Sequence, residues 1–360
     1  MTGDGRHIDP RLGVLEGEGS HQAVEEREPS TPLDVWKEVP DRGADEDTTY
    51  YDRPAIKEPV WIWAVPAYFY AGGTAGAAAL LGAAAQLDGG PQLRPLVRRC
   101  RWVAAVSGAV GTGLLIRDLG RPERFLNMLR VFRPTSPMSM GSWVLAAEAP
   151  TTVASAVLAG ANGSLGRVGD LAGLAAGALG VPQAGYTAVL VSNTAVPVWQ
   201  ATRRSLPALF MASAAAGAAS VLDLFPMTAR QARVVRRYGA LGRVAELVAG
   251  LAVERDADRV ERVGRPFHEG LSGSLWRAAK VLTGASLALS LVAGKSRGGR
   301  TAAGLLGSAG SLAVRFAVFH AGKASARDPR ATFHQQRSGQ GGVEVAGSAA
   351  VAGPGRERAV

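Results

Sequence analysis

The sequence predicts an all-α, polytopic membrane protein, and three observations carry that prediction. Eight apolar runs of about 20 residues recur between short basic breaks, a length that suits a hydrocarbon core of ~30 Å crossed at ~1.5 Å per residue. The runs are rich in Ala and Gly, with small-xxx-small spacings such as Gly72/Gly76 and Gly173/Gly177 that let helix backbones approach closely in lipid. No stretch alternates polar and apolar residues as a barrel strand does, and a helix satisfies its own backbone where lipid offers no partner.

Residues 1–58 come before the first run and carry 15 Asp and Glu against 7 Lys and Arg. So acidic a segment, with Pro and Gly interspersed, buries too little apolar surface to order itself and is expected to be largely disordered. It has no apolar h-region, so it does not read as a secretory signal. The transmembrane domain is expected at 59–323. Its first run, 60–86, opens on Trp61, Trp63, Tyr68, Phe69 and Tyr70; an interfacial aromatic belt accounts for the two tryptophans. The second, 101–117, ends at a charged loop, and the third, 138–160, contains Glu148. The fourth, 168–194, carries Tyr186 and Asn193, and 205–225 follows. The sixth, 238–254, is the weakest, because Arg243 and Glu246 interrupt it; three residues apart, they are expected to pair along the helix. Runs at 274–294 and 301–322 close the series, the last with His320, and 324–360 forms a polar C-terminal tail.

An even number of spans puts both termini on one side. On that side 19 basic residues flank the runs, against 13 on the other, so the positive-inside rule predicts cytoplasmic termini in a multi-pass cell-membrane protein. The formal net charge is +10, but the basic residues punctuate apolar runs instead of covering a soluble face. Membrane topology explains them better than nucleic acid does.

The residue types also limit the chemistry. Cys100 is the single cysteine, so the chain builds neither a disulfide nor a four-cysteine iron–sulfur site, and a small apolar residue near a helix start is the reading it fits. Of five histidines, His7 and His21 are in the acidic segment, His268 in a basic break and His334 in the polar tail. Only His320 lies within an apolar run, so no pair of axial ligands exists for a membrane-embedded haem. No HExxH, P-loop or strand-linked GxGxxG is present. No catalytic constellation is expected in this chain, and any redox metal belongs to another polypeptide.

The most distinctive stretch is the loop and helix start at 118–143, DLGRPERFLNMLRVFRPTSPMSMGSW. Together with WIWAVPAYFYAGGTAGA (61–77), GYTAVLVSNTAVPVW (185–199) and RFAVFHAGKASARDPR (315–330), it resembles the NrfD/PsrC family. These are the integral membrane subunits of polysulfide-reductase-like iron–sulfur molybdoenzymes. The resemblance implies eight helices in two four-helix bundles without haem. It also implies a quinone site near the membrane surface, facing an iron–sulfur subunit that is bound in turn to a molybdopterin catalytic subunit.

A quinone ring needs hydrogen-bond donors at its carbonyls, an apolar slot for its tail and a route for protons. Asp118 and Arg121 are expected to form an ion pair at a helix end, with Gly120 and Pro122 forcing the turn between them. The resemblance puts Tyr68 and Tyr186 where related subunits place polar quinone contacts, and each offers a hydroxyl. Asn193 and Ser139 are further candidate contacts, although Ser139 and Ser142 equally suit caps of the third helix. Glu148, Glu246 and His320 are candidates for a proton path, because ionisable groups within a membrane are costly to keep. Arg124, Arg130 and Arg133 suit either a topology-setting loop or docking of an acidic partner. The leading function is a quinone-reactive anchor of a molybdoenzyme complex. A secondary transporter and a passive anchor remain as alternatives.

Overall fold

The computed structural model describes residues 7–9, 14–16, 56–119 and 122–332. The chain divides into two units, 1–52 and 53–360. In the first, His7–Asp9 (β1) pairs antiparallel with Val14–Glu16 (β2), with Ile8 opposite Leu15.

The second unit is helical. Its elements are α1 (Ala64–Leu87), α2 (Arg94–Asp118), α3 (Pro137–Val157), α4 (Gly163–Ser192) and α5 (Pro197–Ala201), then α6 (Leu206–Asp223), α7 (Ala229–Ala257), α8 (Glu261–His268), α9 (Gly270–Val292) and α10 (Arg297–Arg327). Short 3-10 turns at Pro91–Leu93, Pro122–Leu129 and Leu158–Gly160 join some of them. Among the described residues, eight of these helices have 18 or more residues, and each overlaps one predicted run. Helices α3, α4, α6, α9 and α10 are long and apolar enough to cross a membrane. The apolarity of α1 is diluted by Gly, Tyr and Thr, while α2 and α7 carry several charges.

Local chemistry sets the ends. The Ser136 hydroxyl accepts from the Ser139 N–H at the start of α3, and Ser296 accepts from Gly299 in the same way at α10. Thr228 and Gln231 form a reciprocal capping box on α7. Proline in the first turn of α3, α5 and α6 costs no hydrogen bond there.

Helix α1 packs against α2 and α4, and α3 against α4 and α2. In the second half α6 packs on α7 and α10, and α9 on α10 and α7. Contacts of α1 with α6 and α10, and of α4 with α6, join the halves. The α1–α4 crossing depends on Gly76 and Gly180: a Cβ on either would overlap the other's carbonyl oxygen. One core gathers Phe69, Trp199, Phe210, Phe267 and Trp276; a second, richer in alanine, contains Leu96, Leu222, Val235 and the fully buried Cys100.

Two ionic arrangements depart from expectation. Arg243 does not pair with Glu246. Its Nη2 lies 2.9 Å from Ser220 Oγ and 3.5 Å from Asp223 on α6, and both charged side chains are buried. Glu246 accepts from Thr283 on α9 (2.7 Å) and Ser311 on α10 (3.4 Å). Tertiary partners on three helices therefore replace the pair that local spacing predicts. Arg101, the first residue of the second predicted run, is buried and tethers this end of the first four helices. It donates to Gln86 at the end of α1, Ser155 O on α3 and Asp170 on α4.

Candidate functional site

A cavity of about 370 Å³ opens among α1, α2, α3 and α4, at the end where α2 gives way to the 118–136 loop. Helix α1 supplies Val65, Tyr68 and Phe69; α2 supplies Thr112, Leu115 and Asp118, three residues apart and so on one face. Met138, Gly141, Ser142 and Leu145 come from α3, Tyr186 and Leu190 from α4. Phe125, Met128 and Leu129 of the 3-10 turn close the mouth. The wall is mostly aliphatic and aromatic, with a few polar groups: the two tyrosines, Thr112, Ser142 and Asp118. Its size falls within the ~300–1,000 Å³ common for small-molecule pockets.

Tyr68 is 3% exposed, and Gln183, Tyr186 and Glu148 are the polar groups that face it. The ring of Tyr186 lies over Gly141, its phenol end occupying the place where any larger residue would put a Cβ. Glycine at 141 is therefore a condition for the ring's position. Glu148 lies on α3 between the lining residues Leu145 and Ala149; it is fully buried, and neither carboxylate oxygen has a hydrogen-bond partner among the described residues. Gln183 Oε1 is likewise buried and unpartnered. The cavity thus has two tyrosines on its wall, with Gln183 and Glu148 buried behind Tyr68, and an apolar mouth.

Asp118 Oδ1 accepts from the Ile62 N–H (3.1 Å), fastening the end of α2 to the residues that lead into α1. Arg117 lies over the Trp63 ring, 5.5 Å from its centroid, at the same junction. The expected Asp118–Arg121 ion pair falls partly outside the described residues, because Gly120 and Arg121 are not among them. The side chain of Arg124 also lies outside them, while Arg130 and Arg133 are exposed on the loop. Beside these arginines, Leu126, Val131 and Phe132 expose apolar side chains, and Phe132 meets Trp143 edge-on at 5.7 Å.

The remaining predicted residues lie elsewhere. Ser139 donates to Val131 O (3.0 Å) and accepts from the Arg133 N–H (3.0 Å), so it pins the loop and is not part of the cavity wall. Asn193 is exposed at the C-terminal end of α4, where its side chain donates to Val189 O. Glu246 is in the second half of the helical unit, within the Thr283–Ser311 pair described above. His320 contacts the Phe316 and Phe319 rings and makes no hydrogen bond among the described residues. The structure therefore brings together Tyr68, Asp118, Tyr186 and Glu148 and leaves Ser139, Asn193, Glu246 and His320 apart from them. Sequence reasoning missed Gln183, Gly141 and the apolar closing turn. A glutamine in an apolar helix next to Pro182 was a usable signal; the others had none. Among the described residues, no three His, Cys, Asp or Glu side chains cluster as a metal site.

No curated protein matches the chain. The family model described as polysulphide reductase, NrfD, matches residues 54–323, three quarters of the chain and all the long helices apart from the last turn of α10. With its apolar helices, that match makes this a membrane protein, and the chain belongs to the NrfD family of polysulphide-reductase membrane subunits.

Proposed function

We propose that this chain is the quinone-reactive membrane subunit of a molybdopterin and iron–sulfur oxidoreductase complex. The observation that carries the reading is the mostly apolar cavity whose wall holds Tyr68 and Tyr186, near the buried Glu148, which has no hydrogen-bond partner among the described residues. In this reading eight helices cross the membrane as two four-helix bundles, α1–α4 and α6, α7, α9 and α10, with both termini cytoplasmic. The packing of neighbours within each half supports that grouping.

A quinone supplies two-electron, two-proton chemistry when it is bound. The protein's part is to bind, orient and protonate. Tyr68 and Tyr186 donate hydrogen bonds toward carbonyl oxygens, and the aliphatic wall takes the isoprenoid tail. Glu148 holds a proton beside them, away from bulk water. Asp118 keeps the mouth in register by its bond to Ile62. The exposed Arg130 and Arg133, with Leu126, Val131 and Phe132, form a basic and apolar surface suited to an acidic iron–sulfur subunit, beyond which the molybdopterin subunit binds. The cavity's mouth lies beside this surface, where a docked partner would exchange electrons with a bound quinone.

Photolabelling with an azidoquinone tests this directly. Label is expected in peptides containing residues 61–69, 138–149 or 186–190. Label confined to other segments would sink the proposal. A secondary-transporter reading has one observation in its favour, the buried Asp223, Arg243, Glu246 and Arg315 in the second half. Substrate flux through proteoliposomes of the chain without its partners would favour it.

A further inference from the structure

A second concavity, an open groove of about 780 Å³, lies toward the other end of α2 from the cavity above. Arg94, Arg98 and Arg99 line its head, and Trp102, Val103, Val106 and Ser107 continue down the helix. The opposite wall comes from Val221 at the end of α6, Phe225 just beyond it, and Ala159 in the turn after α3. Arg94 and Arg98 are exposed, and neither has a hydrogen bond or ion pair among the described residues. Arg99 gives one N–H to Gln231 and retains its other donors. Like charges four apart on one helix face repel each other, and an anion between them would relieve that repulsion.

Residues 94, 98, 102, 106 and 110 are four apart, so they form one row along α2. The row begins with two arginines that have no partner among the described residues, passes a Trp that is 46% exposed and ends in two valines, 55% and 52% exposed. From Arg94 to Val106 the helix rises about 18 Å, on the order of one leaflet of hydrocarbon and its interface. Charge, then an amphipathic ring, then aliphatic surface is also the order of groups along a phospholipid. The guanidinium fork matches phosphate oxygens, and among the described residues that line the groove there is no carboxylate to pair with a lipid's cationic head.

We propose that this groove binds an anionic phospholipid, its phosphate held by Arg94, Arg98 and Arg99 and one acyl chain lying along Trp102 and Val106 against Phe225. The site rests on α2 crossing the membrane, as proposed above, but not on quinone chemistry. A lipid so placed fills the space between α2 and the end of α6, where the two halves of the helical unit meet.

The test uses the full chain reconstituted in phosphatidylcholine bilayers that contain a minority of phosphatidylglycerol, with bromine on the acyl chains of one lipid or the other. The Trp102 signal is taken as the difference from Trp102→Phe. Brominated phosphatidylglycerol is expected to quench it far beyond that lipid's share of the bilayer. Arg94→Gln with Arg98→Gln should lower this preference by roughly tenfold, and each single substitution by several-fold if the double variant fails to insert. Quenching in simple proportion to lipid composition would overturn the site while leaving α2 in the membrane. No quenching by either lipid would overturn the site and the span together. Loss of the preference in millimolar inorganic phosphate would assign the arginines to a free anion, against the proposal.

Discussion

Replacing Gly141 by alanine tests the cavity through its geometry alone, since it adds one methyl group and changes no charge. The added Cβ would fall inside the van der Waals volume of the Tyr186 ring, overlapping the ring atoms at its phenol end. Ordinary carbon–carbon contact needs about 3.5 Å, so the ring must move by an ångström or more, or α3 must shift away from α4. Overpacking of this kind costs about 1–3 kcal/mol, which a helix bundle survives. A misplacement of ~1 Å in a positioning group can lower a rate by about a hundredfold. The complex should therefore assemble with normal turnover from an artificial dye that bypasses the membrane subunit, while quinone-linked turnover falls by roughly ten- to a hundredfold. Gly141→Ala combined with Tyr186→Leu restores space without restoring the hydroxyl. It should recover any lost stability while quinone-linked turnover stays low. If Gly141→Ala leaves the KM and kcat for quinone at the parental values, the Tyr186 ring is not part of the site. An equal loss with dye and quinone would make the contact purely structural.

Tyr186→Phe and Tyr68→Phe keep the ring volume and remove one hydroxyl each; a rise in the KM for quinone of roughly two- to tenfold is expected, and the double variant should be non-additive if both bind one ring. Unchanged kinetics in both would move the head group away from these helices. Glu148→Gln removes a proton carrier without changing volume, so quinone turnover should fall with dye turnover intact; steady-state assays across pH check it, and an unaltered pH profile would assign Glu148 to packing. Arg243→Met removes the ion-pair partner of the buried Asp223, a loss of about 3–5 kcal/mol seen as a lower thermal unfolding midpoint in detergent. Equal stability would mean that Arg300 and Arg236, the other cations near Asp223, compensate it without Arg243.

The helices were legible because their signal is local: apolar length, proline and small-residue spacing all act within one element. Their ends were less so. Helix α2 begins at Arg94, seven residues before the apolar run, and α7 at Ala229, nine before it. Basic first turns conceal a helix from hydropathy, yet long Arg stems reach the interface from within one. Of the site, Tyr68, Asp118, Glu148 and Tyr186 could be named from motif and chemistry. The cavity wall could not, because Phe125, Met128, Leu145 and Leu190 are ordinary apolar residues until four helices and a loop converge. Arg243 shows the same limit from the electrostatic side: spacing offered Glu246, and the fold offered Asp223.

Glu58, just ahead of α1, is gripped by Arg327 at the end of α10, 2.6 Å away, and by Lys323 at 3.4 Å. The first and last elements of the helical domain are thus buckled together, 269 positions apart along the chain. Such closure makes the order of helices separable from their arrangement. A short linker from the end of α10 to the residues before α1, with new termini opened at Gly163, whose φ is +66° with nothing near its Cβ position, would preserve every helix and every face. The domain is in that sense a ring cut at one place, and circular permutation would show whether the cut matters.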